Sequence, residues 1–143
     1  MAGALSHQPS LLGGGDPAVD PSGLSRIRRI ALDDQAWVEH LPGWVAGHEA
    51  LLDHLARTTT WRSERRMMYE LPQAIVATVS LGEPRKFLLR PKQRGRTHTF
   101  MLGWGDPIVM GGACQRNWEH SVPKVAHAWP RMAVMFRPEW KKP

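Results

Sequence analysis

Residues 131 to 137 read Arg131-Met132-Ala133-Val134-Met135-Phe136-Arg137, with the two arginines six positions apart. In a strand, Arg131, Ala133, Met135 and Arg137 would share one face and Met132, Val134 and Phe136 the other. Six residues of strand span about 20 Å. Two guanidiniums on one inward face are costly to bury unless something anionic meets them. Their planar forks match carboxylates bidentately, so the pair could hold the two ends of a small dicarboxylate. A little upstream, in Trp118-Glu119-His120-Ser121-Val122-Pro123-Lys124, His120 is a candidate metal ligand.

Other polar residues carry weaker signals. Asp106, in Gly103-Trp104-Gly105-Asp106, reads as a turn residue bonding its own backbone rather than as a metal ligand. His48 and His54 read as solvated or capping, and His98, beside Thr97 and Thr99, as an outward strand residue. The lone Cys114 excludes an internal disulfide and reads as a small buried residue in a reducing, cytoplasmic setting. Residues 61 to 70 interleave Arg62, Arg65 and Arg66 with Trp61, Met67, Met68 and Tyr69. Arg65, Arg66, Met68 and Tyr69 could touch a nucleotide by charge and stacking; the same residues also suit a solvated helix-to-strand connection.

The elements that must position these residues fall in a simple order. Residues 1–24 are rich in Gly, Pro and Asp without apolar periodicity, which predicts a disordered tail ahead of a domain at 25–143. Arg26 to Leu32 alternates weakly, as an edge strand would. Asp33 or Asp34 could cap a short helix through Trp37 and Val38, and Pro42 could open a second helix running to about Arg57 with Val45, Leu51, Leu52 and Leu55 as its apolar stripe. From Ala74 the pattern turns to strands: Ala74 to Leu81, Arg85 to Arg90, Thr97 to Leu102 and Ile108 to Met110. Pro91-Lys92-Gln93-Arg94-Gly95-Arg96 is a basic hairpin loop, and Gly111-Gly112 permits close backbone packing. The reading is antiparallel β preceded by two short helices, a jelly-roll-like half barrel.

At 143 residues the chain fits one domain, and no apolar run approaches a membrane span. The N-terminus shows no basic region followed by an apolar one, as a secretory signal would. Charge is uneven. Residues 1–60 hold four basic and seven acidic residues, and residues 61–143 hold fifteen and six, so the halves carry −3 and +9 within a net charge of +6. A basic half beside an acidic one points to an anionic partner, nucleic acid first.

Five segments carry a family resemblance: Ala77-Thr78-Val79-Ser80-Leu81-Gly82, Arg85-Lys86-Phe87-Leu88-Leu89-Arg90-Pro91, Gly105-Asp106-Pro107-Ile108-Val109-Met110-Gly111-Gly112, His120-Ser121-Val122-Pro123-Lys124, and Arg131 to Pro138. Together they cover most of residues 72 to 140, and this half resembles the AlkB family of Fe(II)/2-oxoglutarate dioxygenases, which repair alkylated nucleobases. The resemblance implies a double-stranded β-helix, mainly β with N-terminal helices. It implies His120 as an iron ligand, Arg131 on the distal carboxylate of 2-oxoglutarate and Arg137 toward the iron end. It also implies a monomer acting on alkylated DNA or RNA, with the damaged base flipped from its stack, and a substrate lid beginning near residues 61 to 70.

One departure bears on that inheritance. The family's iron site is a His-x-Asp pair plus a distal His, a facial triad. The seven histidines here are followed at the second position by Pro9, Pro42, Ala50, Ala56, Phe100, Val122 and Trp129, none of them acidic. The family places that pair between segments that here abut, which implies an internal deletion between residues 70 and 71 and an incomplete barrel. Two functions are therefore carried forward: oxidative dealkylation of nucleobases, or a catalytically inactive remnant, either a basic β domain that binds nucleic acid or a fragment with no function of its own.

Overall fold

A computed structural model describes residues 15–63 and 75–138. The deletion inferred at 70/71, and the nucleotide-contacting role considered for Arg65, Arg66, Met68 and Tyr69, lie outside the described residues. In chain order the elements are β1 (Ala18–Val19), a 3-10 turn (Pro21–Arg26), β2 (Arg28–Ala31), β3 (Ala36–His40), β4 (Val45–Ala46), α1 (His48–Thr58), β5 (Val76–Gly82) and β6 (Arg85–Pro91). They continue with β7 (His98–Leu102), β8 (Asp106–Gly112), α2 (Cys114–Asn117), β9 (Trp118–Ser121) and β10 (Arg131–Phe136).

Two antiparallel sheets face each other without closing. The larger has the order β10-β5-β8-β3-β2 and the smaller β7-β6-β9, while β1 and β4 pair separately. The architecture is mainly β and jelly-roll-like, as expected from the alternation. Register sets the inner face. Val76 pairs with Met110, Thr78 with Ile108 and Ser80 with Asp106 across β5 and β8. Val38, Val76, Ile108 and Met110 from the large sheet then pack against Phe87, Leu89, Leu102 and Trp118 from the small one. Leu89, Leu102, Ile108 and Met110 are completely buried, each such side chain contributing about 1.5–3 kcal/mol by leaving water. On the outer face, α1 lays Leu52 against Val79 and Leu81, with Met132 and Val134 beside them. Glu49 in its first turn and Arg57 in its last suit the helix dipole. No helix of the described residues is long and apolar enough to cross a membrane.

The N-terminal third departs from the sequence reading in three places. Asp33 does not cap a helix. Its Oδ1 accepts the N–H groups of Gln35 (2.8 Å) and Ala36 (2.7 Å), closing the turn between β2 and β3. Trp37 and Val38 then alternate across a strand, Val38 inward and Trp37 lying over Gly111, where any Cβ would meet the indole at 2.1 Å. The helix expected from Pro42 starts only at His48, because Val45–Ala46 pairs with Ala18–Val19 and Gly47 turns the chain at φ 63°. That pairing also gives residues 15–24 regular structure where a disordered tail was expected: Asp20 accepts the Ser22 N–H at the start of the 3-10 turn, and its carbonyl accepts the Trp44 indole N–H at 3.1 Å. A short hydrophobic strand and an indole supply what Gly and Pro content alone would not.

Candidate functional site

The inner face of the large sheet is polar at its β5–β10 edge. β10 pairs with β5 so that Arg131 lies opposite Gly82, Ala133 opposite Ser80 and Met135 opposite Thr78. Parity then places Arg131, Ser80 and Thr78 on the same inward side as Val76. Ser80 and Thr78 are buried, at 1% and 5% exposure. The Arg131 Nη2 donates to Ser80 Oγ at 3.4 Å, a long contact. Its Nε and the Thr78 Oγ1 have no hydrogen-bond partner among the described residues. Buried polar atoms are nearly always paired in folded proteins, so the Arg131 Nε marks a place where a ligand would complete it. Burial, and then the neighbouring charge of Arg85, hold the Arg131 guanidinium below its ordinary pKa. A carboxylate beside Arg131 would offset both penalties.

Arg85, which the sequence reading placed in a strand and a family motif without a role of its own, belongs to this interior. It follows the parity of the buried Phe87 and Leu89, and its guanidinium donates to the Pro123 carbonyl, tethering the segment that follows β9. The signal for it in sequence was the inward alternation Arg85-Phe87-Leu89.

Arg131 and Arg137 do not form the inward pair expected of a buried strand. β10 is an edge strand, and Arg137 lies past its end at Phe136, exposed, with its Nη2 3.6 Å from Met135 Sδ. The strand ends one residue too early, and on the open side, for the second guanidinium to face the interior.

His120 lies on β9, opposite Leu89. Its imidazole stacks on Phe87 with ring centres 5.5 Å apart and planes 16° apart. The other interior imidazole, His40, meets Phe100 edge-on at 5.9 Å, and Phe100 in turn pairs across the sheet with Phe87. Each histidine is thus engaged with an aromatic ring. Among the described residues no three of His, Cys, Asp and Glu come together in a group that could hold a metal ion. A three-ligand iron(II) site therefore does not fit the described residues, whereas one carboxylate of 2-oxoglutarate fits Arg131. Asp106 behaves as a turn residue: its Oδ1 accepts Gly43 N–H at 2.6 Å and its Oδ2 accepts Gly103 N–H at 3.3 Å. Cys114 is buried at 1% exposure, as expected.

Two further residues came to light only in the structure. His40 ends the inward series Ala36, Val38, His40; burial lowers its pKa, partly countered by the Asp106 carboxylate, and its Nε2 has no partner among the described residues. His98 is not an outward residue, since its ring packs edge-on against Trp118 at 5.6 Å. The polar Thr97 and Thr99 on either side concealed that contact.

Comparison with known proteins agrees with this architecture. Residues 59–139 match the family model described as the 2OG-Fe(II) oxygenase superfamily. The chain is similar to alpha-ketoglutarate-dependent dioxygenase alkB homolog 3 of Mus musculus, at 32% identity over 79 residues, and of Homo sapiens, at 33% over 79 residues. The matched segments cover 48% of this chain and 28% of each relative, so the chain spans well under two thirds of these curated proteins. With a family match over more than half of its length and an inward arginine on its last strand, the chain belongs to the 2OG-Fe(II) oxygenase superfamily and is AlkB-like within it.

Proposed function

We propose that this chain is an AlkB-type dioxygenase domain for alkylated nucleobases in DNA or RNA, with Arg131 holding the distal carboxylate of 2-oxoglutarate. The observation that carries the reading is the Nε of Arg131, unpartnered among the described residues, beside buried Ser80. In this family iron and co-substrate, when bound, would supply the oxidising chemistry; the described residues here do not fit the iron. This chain's own part in that chemistry is to fix one end of the co-substrate. Arg131 gives charge and the neighbouring Ser80 a hydroxyl.

A second reading is favoured by one specific observation. The described residues assemble no three-donor metal group, and the sequence has no His-x-Asp. On that reading the chain is a catalytically inactive AlkB-like domain whose basic half binds nucleic acid. An anaerobic Fe(II) titration followed by a turnover assay on a methylated single-stranded oligonucleotide separates the two. One tight Fe(II) per chain, with 2-oxoglutarate-dependent aldehyde release that is lost in Arg131→Ala, supports the dioxygenase. Micromolar Fe(II) with no binding and no aldehyde supports the inactive domain.

A further inference from the structure

The residues around the β6–β7 loop form a second charged feature, remote from Arg131 in the register of β6. A cleft of about 460 Å³ opens between this loop and α2. Lys92, Arg94 and Arg96 line it from the loop and Arg116 from α2, with His98 and Trp118 at its base. The Lys92 N–H donates to the Asn117 carbonyl at 2.9 Å, fastening the loop to the helix. A Cβ on Gly95 would stand 2.9 Å from Pro91 Cγ, so the loop folds back tightly on itself.

The lining is short of negative charge. Among the described residues Asp33 is the one carboxylate in it, and its oxygens already accept Gln35 N–H, Ala36 N–H and, at 2.7 Å, the Trp118 indole N–H. The Arg116 guanidinium bonds the neutral Gln35 Oε1 and Asn117 Oδ1, both at 3.3 Å. Arg94 and Arg96 make no ion pair among the described residues. Elsewhere on the surface the arginines that face carboxylates do pair: Arg29 with Glu39, Arg57 with Asp53 and Arg90 with Glu119. Arg94, Arg96 and Arg116 thus gather three like charges with no ion pair among the described residues; they repel one another, and an anion relieves that repulsion.

We propose that this cleft binds the phosphodiester backbone of a single nucleic-acid strand. The proposal rests on the nucleic-acid reading above and names the surface that would serve it. Three features favour a strand over a small free anion. The cleft is large for one phosphate and about the size of a nucleotide. A neighbouring groove of about 730 Å³ shares Lys92 and Trp118 with it and runs along β9 past Thr97, Ser121 and Glu119, whose carboxylate is paired with Arg90, so the track continues. β9 is also an edge of the small sheet, leaving that side open to a ligand. The aromatic floor is not a stacking platform, because Trp118 is only 6% exposed and tied to Asp33. Contact is therefore to phosphate, and binding is indifferent to base sequence.

The test is fluorescence anisotropy of a fluorescein-labelled oligothymidylate with the full chain, titrated from low to moderate salt. The variant Arg94→Ala/Arg96→Ala/Arg116→Ala should weaken binding on the order of tenfold at low salt. It should also reduce the slope of log affinity against log salt by about 2, since each phosphate contact to a single strand is worth about 0.7. The matched control Arg26→Ala/Arg28→Ala/Lys86→Ala removes three exposed charges elsewhere and should leave the slope nearly unchanged. The variant Arg94→Lys/Arg96→Lys/Arg116→Lys should retain most of the binding. If the wild-type chain binds and the cleft and control variants behave alike, the cleft proposal is overturned while the nucleic-acid reading stands. If the wild-type chain does not bind the strand even at low salt, the nucleic-acid reading fails and the cleft goes with it.

Discussion

Replacing Arg131 by Met tests the central argument most directly. Arg131 is half-buried on an edge strand and, among the described residues, makes a long hydrogen bond to Ser80 and leaves its Nε unpaired. A buried polar group without a partner costs about 1–3 kcal/mol, and a charged one more. Partial exposure screens that cost, so about 1 kcal/mol is the reasonable figure. Met keeps the length and apolar stem of the side chain and removes the charge. Ser80 loses only a weak donor, and its hydroxyl can rotate. The expected outcome is a gain of about 1 kcal/mol, or roughly 3–5 °C in melting temperature for a domain of this size. The same substitution should abolish stabilisation by 2-oxoglutarate. One charge-assisted pair contributes about 1.5–3 kcal/mol, which places the affinity of the wild-type chain in the millimolar range. With a Kd of about 10 mM, about 100 mM ligand would stabilise the wild type by about 1.4 kcal/mol and the variant not at all. Paired thermal melts with and without 2-oxoglutarate, at matched ionic strength, measure both effects. A loss of more than about 1 kcal/mol in ligand-free Arg131→Met, or an equal ligand response in both proteins, refutes the reasoning.

Three further outcomes are expected. His40 has a lowered folded pKa, so the unfolded chain binds more protons near neutral pH; its contribution to stability is complete above about pH 6.5 and is lost as pH falls below that value. His40→Gln should therefore flatten the fall in melting temperature between pH 7 and pH 5, and an unchanged profile counts against it. Asp33 bridges the β2–β3 turn to the Trp118 indole, so Asp33→Ala should cost about 2 kcal/mol in urea denaturation. Burial raises the Asp33 pKa, but the Gln35, Trp118 and Ala36 N–H groups outweigh it and hold it below 3.8, so its stabilisation is present at neutral pH and fades only in acid. Removing residues 1–24 deletes the partner of Val45–Ala46 and the acceptor of the Trp44 indole, and should lower stability by on the order of 1–2 kcal/mol; an unshifted melt would show that β1 contributes nothing.

Much of the C-terminal half was legible in the chain itself. The β-branched run before Leu81, the basic hairpin loop and the alternating Arg131–Phe136 segment each specify a strand or turn through local side-chain chemistry, and each is found where expected. The inward arginine was readable too, because period-two alternation ties Arg131 to one face. The N-terminal third was not. Asp33 suits a helix cap and a strand turn equally well, and what decides between them is that β8 offers Trp37 the bare backbone of Gly111 and Val38 a place opposite Met110. Likewise Val45 could serve a helix stripe, until Ala18–Val19 pairs with it across more than twenty residues of sequence. The site divides in the same way. Residue types showed that an iron triad lacks its His-x-Asp, but only the fold shows His120 stacked on Phe87 and Arg137 beyond the end of its strand. Only the fold brings Arg116 from α2 to the loop of Arg94 and Arg96. Local propensity acts within a few residues along the chain, whereas charge and aromatic contacts depend on distances in space that separate strands must first close.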